Sequence, residues 1–187
     1  MSDAVRLRVA TTSDVPALTD LIARSARALS QGYYTADEIE SAIHYVFGVD
    51  TTLVADGTYY VAESGGRMAG CGGWSRRHTM YGGDQRPVGS SSPLGTVSET
   101  FLDPGRDAAR IRAFFVAPEA ARRGVGRCLF DRSVEAAREA GFRRLELMAT
   151  LPGVPFYEAL GFEVVRHVTD VLPDGAALHF VSMRRTI

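Results

Sequence analysis

Residues 121–127 carry the residue types of a phosphate-binding turn, in the order Ala-Arg-Arg-Gly-Val-Gly-Arg. Glycines at the alternate positions Gly124 and Gly126 let the backbone bend tightly, so that successive N–H groups can converge on an anion at a helix N-terminus. The interleaved arginines can add charge-assisted hydrogen bonds to phosphate oxygens. The segment therefore predicts a ligand that carries phosphate; surface charge is the alternative interpretation for the arginines alone.

The flanking sequence predicts the elements that position this turn. Residues 111–117 are rich in aromatic and β-branched residues, and Pro118 cannot continue a hydrogen-bonded ladder, so a strand should end here. Beyond the turn, Phe130, Val134 and Ala137 recur at helical spacing. The order strand, glycine-rich turn, helix is typical of a phosphate site.

Two common phosphate motifs do not fit the turn. A Walker loop needs Gly-x-x-x-x-Gly-Lys-Ser/Thr, and the sequence contains no such string. A dinucleotide-binding turn needs Gly-x-Gly-x-x-Gly, but after Gly126 the next glycine is Gly141. Nucleoside triphosphate hydrolysis and dinucleotide binding are therefore both disfavoured.

A second segment, residues 155–162, reads Pro-Phe-Tyr-Glu-Ala-Leu-Gly-Phe. With Phe-Val-Ala-Pro at 115–118 and the turn at 122–127, this order resembles the GCN5-related N-acetyltransferase family, which binds acetyl-CoA. The resemblance runs from Leu7 to about Arg184. It implies a single-domain α/β (α+β) fold, with a mixed, mostly antiparallel sheet of about six or seven strands, about four flanking helices, and a splay between the fourth and fifth strands.

Two positions depart from the family pattern. The phosphate turn of the family is written Gln/Arg-x-x-Gly-x-Gly/Ala, and its first position falls on Ala121. Because backbone N–H groups hold most of the anion, this change should weaken the site rather than abolish it. Thr150 stands where many members have an asparagine that touches the cofactor, and a threonine can still donate and accept a hydrogen bond.

The resemblance also implies roles for individual residues. Tyr157 would protonate the departing CoA thiolate, since a phenol with a pKa near 10 is protonated at neutral pH. Its alternative is simple helix packing, with the hydroxyl on a backbone carbonyl. A backbone N–H of the strand before the turn would donate to the thioester carbonyl, if the strand splays from its neighbour. The implied cofactor-binding residues are Phe115, Val116, Arg122, Arg123, Gly124, Val125, Gly126, Arg127, Thr150 and Phe156.

The acceptor site is less well marked. An alkylammonium must lose its proton before it attacks the thioester, so a base or a water chain is needed, and no single residue stands out as that base. Candidates for contact with the acceptor are Tyr33, Tyr34, Trp74, His78 and Glu99. Exposed loop positions, or core packing for the single tryptophan, are their alternatives. A small-molecule amine, a peptide N-terminus and a protein lysine all remain open as acceptors.

Length, charge and composition limit the classes of protein to which the chain can belong. The chain has 187 residues with a net charge of −1, so we expect one domain over residues 1–187 and no strong attraction to nucleic acid or anionic lipid. No apolar run approaches the length of about 18 residues that a membrane span requires. Cys71 and Cys128 lie far apart and fit reduced thiols, and no cluster of histidines and cysteines suggests a metal. We therefore expect a cytoplasmic protein without a metal cofactor.

Three further segments carry expectations. Residues 58–63 and 68–75 should form an antiparallel hairpin, in which Gly70, Gly72 and Gly73 indicate either a close approach of another group or a bulge. The glycine-, serine- and proline-rich residues 76–110 should be a long connection, either shaping the substrate site or mobile at the surface. Exposed edge strands near the C-terminus could support a homodimer.

The leading hypothesis is an acetyl-CoA-dependent N-acetyltransferase that transfers the acetyl group directly to a primary amine. Neither cysteine is placed for a covalent enzyme intermediate. A catalytically weak acyl-CoA-binding sensor or partner-docking module is the alternative, and the departures at Ala121 and Thr150 keep it open. Use of a longer acyl-CoA or of a hydroxyl acceptor also remains open, because the turn contacts only the phosphate arm.

Overall fold

A mixed β-sheet forms the centre of the protein in a computed structural model that describes residues 4–85, 91–92, 95–96 and 100–187. The strands are β1 Arg6–Val9, β2 Tyr59–Ser64, β3 Arg67–Ser75, β4 Ser91–Ser92, β5 Gly95–Thr96, β6 Ala109–Val116, β7 Arg144–Thr150, β8 Glu163–Val171 and β9 Ala177–Thr186. The helices are α1 Val15–Leu29, α2 Ala36–Tyr45, α3 Thr51–Ala55, α4 Val125–Glu139 and α5 Val154–Ala159.

Seven strands form the main sheet in the order β1-β2-β3-β6-β7-β9-β8, while β4 and β5 pair only with each other. Every neighbouring pair in the main sheet is antiparallel except β6 with β7. The predicted α/β (α+β) fold with a mixed, mostly antiparallel sheet is therefore confirmed, as is the splay between the fourth and fifth strands of the sheet. The described residues contain five helices rather than about four, because α3 has too few residues to show a periodic pattern.

Local signals explain the helices on the N-terminal side. The side chain of Thr35 accepts a hydrogen bond from the Glu38 N–H at 3.2 Å, and Glu38 Oε2 accepts one from the Thr35 N–H at 2.7 Å. This reciprocal capping satisfies two N–H groups that the helix itself cannot bond, so it fixes the start of α2. The short α3 is capped by Asp50, whose carboxylate accepts a hydrogen bond from the Leu53 N–H at 3.2 Å.

The glycines of β3 serve close packing. A Cβ atom on Gly70 would lie 2.8 Å from Val125 Cγ1, so α4 packs directly against the strand backbone there. Gly72 lies opposite an irregularity in β6, where Ala113 has a φ of +55° and the pairing register shifts. Both sequence interpretations therefore apply, with the close approach at Gly70 and the bulge in the facing strand.

The two faces of the sheet are covered differently. On one face α4 packs against the first strands, with the Arg132 guanidinium 5.4 Å from the centre of the Tyr60 ring. On the other face the segment that follows α2 reaches the sheet through an edge-to-face contact between Phe47 and Phe115, at 5.8 Å between ring centres. Both faces of the sheet are thus covered near β3 and β6. This packing fixes the position of the start of α4, where the predicted phosphate site lies.

A buried ion pair joins the start of α3 to β6. The guanidinium of Arg112 lies 2.7 Å from the carboxylate of Asp50, and their side chains are 4% and 6% exposed. Arg112 also donates to the carbonyl oxygen of Gly82, in the connection that follows β3. The pair therefore binds α3, β6 and this connection to one another.

We expect Arg112→Met to lower the free energy of unfolding by about 3–5 kcal/mol, because it leaves the Asp50 carboxylate buried without its cation. Urea unfolding measures this loss. The double variant Arg112→Met, Asp50→Asn removes the stranded charge and should recover part of it. A double variant no more stable than the single one would show that the charge is not the cause.

The described residues include no helix that is both long and apolar enough to cross a bilayer.

Candidate active site

The pairing between β6 and β7 ends after two positions, Ala109 with Leu145 and Arg110 with Glu146. Beyond them the two strands diverge, although β6 stays paired with β3 as far as Val116. Backbone groups of β6 that face β7 beyond Arg110 therefore have no partner strand. We call this opening, bounded by residues 111–116 and 147–150, the wedge.

A bulge in β6 lies at the wedge. Ala113 adopts the left-handed conformation, and its carbonyl oxygen accepts a hydrogen bond from the fully buried hydroxyl of Tyr59 at 3.2 Å. The same hydroxyl lies 3.2 Å from the sulfur of Cys71. Since a bulge re-aims the residues that follow it, Tyr59 helps to set the direction in which Phe115 and Val116 enter the wedge.

The predicted phosphate turn precedes α4, and two of its residues have positive φ, Arg122 at +60° and Gly124 at +85°. Cys128 donates the first intrahelical hydrogen bond, to the Gly124 carbonyl oxygen at 3.0 Å. The N–H groups of Val125, Gly126 and Arg127 precede that bond, so the helix offers them no acceptor. The turn thus presents a set of backbone donors at the positive end of the helix.

Gly126 connects the turn to the wedge and to α5. A Cβ atom on Gly126 would lie 3.3 Å from Cζ of Phe156 and 3.7 Å from Cγ2 of Val116. The structure thus brings together the predicted residues of β6, the turn and α5. The arginines Arg122, Arg123 and Arg127 are exposed around the turn, and Arg127 pairs with Asp131 at 3.0 Å.

Tyr157 lies in α5, with its ring packed edge-on against Phe156 and Phe162. The residue is buried, and no group in the described part of the chain hydrogen-bonds its hydroxyl. Burial raises the pKa of Tyr157 well above the usual phenol value. Gly153 lies between Tyr157 and Thr150, so the end of β7 and the start of α5 place these two residues side by side. The hydroxyl is therefore a neutral proton donor.

The two adjacent tyrosines between α1 and α2 have different environments. Tyr33 is 50% exposed, whereas Tyr34 is 7% exposed. The Tyr34 hydroxyl donates to the His179 carbonyl oxygen at 2.5 Å and accepts from the Leu151 N–H at 2.9 Å. Burial raises the pKa of Tyr34 to about 12. Tyr34 therefore holds the turn that leads into α5 against β9.

Because both partners of the Tyr34 hydroxyl would lose their hydrogen bond, we expect Tyr34→Phe to lower the free energy of unfolding by about 1–3 kcal/mol. Tyr33→Phe is the matched control and should leave stability unchanged. Chemical denaturation of the three proteins measures both effects. Equal stability of the two variants would contradict a structural role for the Tyr34 hydroxyl.

The other acceptor candidates are dispersed. Trp74 is buried and packs on Phe142 at 6.0 Å between ring centres, away from solvent. His78 is exposed, and its N–H donates to the Thr100 carbonyl oxygen at 3.3 Å. Glu99 lies outside the described residues. Trp74 is therefore a core side chain whose strand position pairs with Ile111 at the edge of the wedge, and His78 is a surface side chain.

The first part of the predicted long connection 76–110 lies on the side of the wedge away from α4. Residues 79–85, which we call the strap, follow β3 and run over the sheet. The Tyr81 ring packs on Phe180 of β9 at 5.1 Å, and its hydroxyl donates to Asp170 of β8. The carbonyl oxygen of Gly82 accepts a hydrogen bond from Arg112 of β6. Since β7 lies between β6 and β9 in the sheet, the strap crosses the face of the wedge.

Two cavities flank the strap. The larger, of about 920 Å³, is lined by residues of α1 and α2, by Gln85 and by the turn between β8 and β9. Its acidic side chains are Asp37, Glu40 and Asp174. The smaller, of about 320 Å³, is lined by residues of β6, β7, β8 and β9 and by Met80. Only the smaller cavity therefore touches the two strands that border the wedge.

No group of three or more metal-ligating side chains occurs among the residues that the structure describes.

Comparison with known proteins gives consistent results. The model of the acetyltransferase (GNAT) family matches residues 18–162. A GCN5-related N-acetyltransferase from Rhodopseudomonas palustris, designated aminotransferase class II, superposes with a TM-score of 0.72 at 17% identity, covering 100% of this chain and 98% of its own. No curated protein matches the sequence significantly.

Similar structures include complexes with coenzyme A and with acetyl-CoA. PaiA N-acetyltransferase from Thermoplasma acidophilum, in complex with coenzyme A, has a TM-score of 0.63 at 13% identity, with 98% of this chain and 99% of that one covered. A phosphinothricin acetyltransferase from Sinorhizobium meliloti, in complex with acetyl-CoA, has a TM-score of 0.60 at 19% identity, with 98% and 88% covered.

Proposed function

The chain belongs to the GNAT acetyltransferase family, and we propose that it is an acetyl-CoA-dependent N-acetyltransferase acting on a primary amine of a small molecule or peptide. The observation that carries this proposal is the adjacency of the wedge, the phosphate turn and Tyr157. A Cβ atom on Gly126 of the turn would lie 3.3 Å from Phe156, the residue before Tyr157, and 3.7 Å from Val116 of the wedge. Related proteins solved with coenzyme A or acetyl-CoA support the choice of co-substrate.

The residues present fit acetyl-CoA. Left-handed Arg122 and Gly124 leave the N–H groups at the start of α4 facing outward, and nothing lies within 4 Å of the place where a Gly124 Cβ would be. These donors and the exposed arginines would hold the pyrophosphate, so the missing side chain at Ala121 is not essential. Phe115, Val116 and Thr150 border the wedge, where the acyl arm would lie.

The acetyl group would pass directly from acetyl-CoA to the amine. Acetyl-CoA supplies an acetyl thioester; the C–S bond breaks, a C–N bond forms to the neutral amine, and one proton leaves the amine nitrogen for solvent. A β6 N–H that lacks a partner strand would donate to the thioester carbonyl oxygen, where negative charge develops. Tyr157 would deliver a proton to the departing thiolate and recover one from water.

The cysteines support direct transfer over a covalent enzyme intermediate. Burial raises the pKa of Cys71 to about 12, so its thiol stays protonated and enclosed beneath Tyr59. Cys128 is half-buried and lies within the first turn of α4. A thiol nucleophile needs a lowered pKa and access to the reacting carbon, and the Cys71 thiol has neither.

Calorimetric titration of acetyl-CoA into the protein, followed by thiol-release assays with a panel of amines, tests the proposal. We expect saturable binding and thiol release that depends on both acetyl-CoA and an amine. Binding without amine-dependent release across the panel would instead support a sensor role and overturn the enzymatic proposal. Absence of binding would reject both.

A further inference from the structure

The smaller cavity is lined by arginines from three strands of the main sheet. Arg110 belongs to β6, Arg166 to β8 and Arg184 to β9, and all three line the cavity of about 320 Å³. Glu146 of β7 is the one acidic residue among those that line it. The lining therefore carries an excess of positive charge.

Strand register places these side chains beside one another. Glu146 pairs with Arg110 on one side and with Arg184 on the other. Two residues before Arg184 on β9, Ser182 lies directly opposite Arg166 of β8. Residues opposite one another on adjacent strands have Cβ atoms about 4.5–5.5 Å apart on the same face of the sheet. The guanidinium groups thus project from the same small area.

The carboxylates nearby do not satisfy all of this charge. Arg110 forms an ion pair with Glu146 and keeps its Nε buried without a hydrogen-bond partner among the described residues. Arg184 and Glu163 are 3.9 Å apart with side chains 65% and 78% exposed, a separation and exposure at which an ion pair contributes little. No carboxylate in the described part of the chain pairs with Arg166. The guanidinium groups of Arg166 and Arg184 therefore remain available to a ligand.

Ser182 adds a neutral donor. The residue is 8% exposed, lines the cavity, and has no hydrogen-bond partner for its hydroxyl within the described ranges. Guanidinium groups together with a hydroxyl are the donors that carboxylate and phosphate groups prefer. The lining thus suits an oxyanion.

The cavity begins where the wedge begins. Arg110 and Glu146 are the last paired residues of β6 and β7, and Met148, which also lines the cavity, is the second residue beyond them on β7. These side chains lie on the face that the strap crosses, opposite α4. A ligand held here therefore reaches the wedge from the side away from the phosphate turn. None of the residues that line the larger, acidic cavity belongs to β6 or β7.

We infer that this cavity binds the anionic group of the acetyl acceptor, so that the acceptor is an amine that also carries a carboxylate or phosphate. This inference rests on the proposed acetyltransferase function. The arginines bind the anion, and the amine of the same molecule is directed into the wedge. An amine without an anionic group lacks this anchor and is a poorer substrate.

Matched pairs of amines test the inference: ethanolamine with phosphoethanolamine, and tyramine with tyrosine. In the thiol-release assay the anionic member of at least one pair should have a kcat/KM at least tenfold higher. The double variant Arg166→Gln, Arg184→Gln should lower that value at least tenfold, mainly through KM, and leave the uncharged member and the KM for acetyl-CoA unchanged. Arg138→Gln, which removes an exposed arginine from α4, is the control and should change nothing.

Equal use of both members of each pair, or equal loss for both in the double variant, would overturn the inference while the acetyltransferase proposal stands. If no amine is acetylated, NMR titration of the arginine Nε–H signals decides independently of turnover. Saturable shifts with phosphoethanolamine that the double variant loses would support the anion site. No saturable shift, or shifts with inorganic phosphate alone, would overturn the assignment to an acceptor.

Discussion

Tyr157→Phe should lower kcat by about a hundredfold or more and leave the dissociation constant of acetyl-CoA unchanged, since a positioned general acid contributes about 10²–10⁴-fold. The substitution removes only the hydroxyl. The ring contacts with Phe156 and Phe162 stay in place, so the fold of α5 should be preserved. Steady-state thiol release and calorimetry measure the two quantities separately.

The pH dependence gives a second readout for Tyr157. Its hydroxyl acts in the protonated form, and burial raises its pKa above the usual value of about 10. Activity that depends on this group is therefore present at neutral pH and is lost only as the pH rises above about 10. An unchanged kcat in Tyr157→Phe would remove Tyr157 as the acid.

Gly124→Glu should weaken acetyl-CoA binding at least a hundredfold. The new carboxylate would lie at the start of α4, where it can accept from the free N–H groups and repel the phosphates that they would otherwise bind. Calorimetry gives the affinity, and circular dichroism shows whether the helix persists.

Gly124→Ala separates charge from backbone strain. At the φ of +85° any residue with a Cβ is strained by about 1–2 kcal/mol, but no atom lies within 4 Å of the new methyl group. The alanine variant should therefore lose stability while it still binds acetyl-CoA. Equal loss of binding in both variants would indicate that turn geometry, rather than charge, controls the site.

Sequence patterns sufficed where the signal is local. The glycine-rich connection 64–67 between two strand-forming segments predicts the β2–β3 hairpin, and the capping-box spacing from Thr35 to Glu38 predicts the start of α2. The order strand, glycine-rich turn, helix predicted β6 and α4, and the family match confirms the resemblance that this order carried. The roles assigned to Tyr157 and to the cofactor-binding residues stay predictions.

Features that depend on distant partners were not predictable. Arg112 alternates with apolar residues as a solvent-facing side chain would, yet it is buried because Asp50 lies beside it in the fold. The strap has no periodic pattern, and contacts with β6, β8 and β9 position it. Left-handed Ala113 and Arg122 are not glycines, so nothing in their residue type announced the bulge or the bend of the turn.

The two-position contact between β6 and β7 divides the sheet mechanically. Strands β1, β2, β3 and β6 form one plate, and β7, β9 and β8 form the other, each held by its own antiparallel ladders. A rotation about the short β6–β7 contact would widen the wedge. It would leave the hydrogen bonds between the strands within each plate intact. Helix α4 resists that rotation, since it packs on β3 in one plate and its Phe130 contacts Phe162, beside β8, in the other. We therefore expect the contact between Phe130 and Phe162 to limit how far the wedge can open.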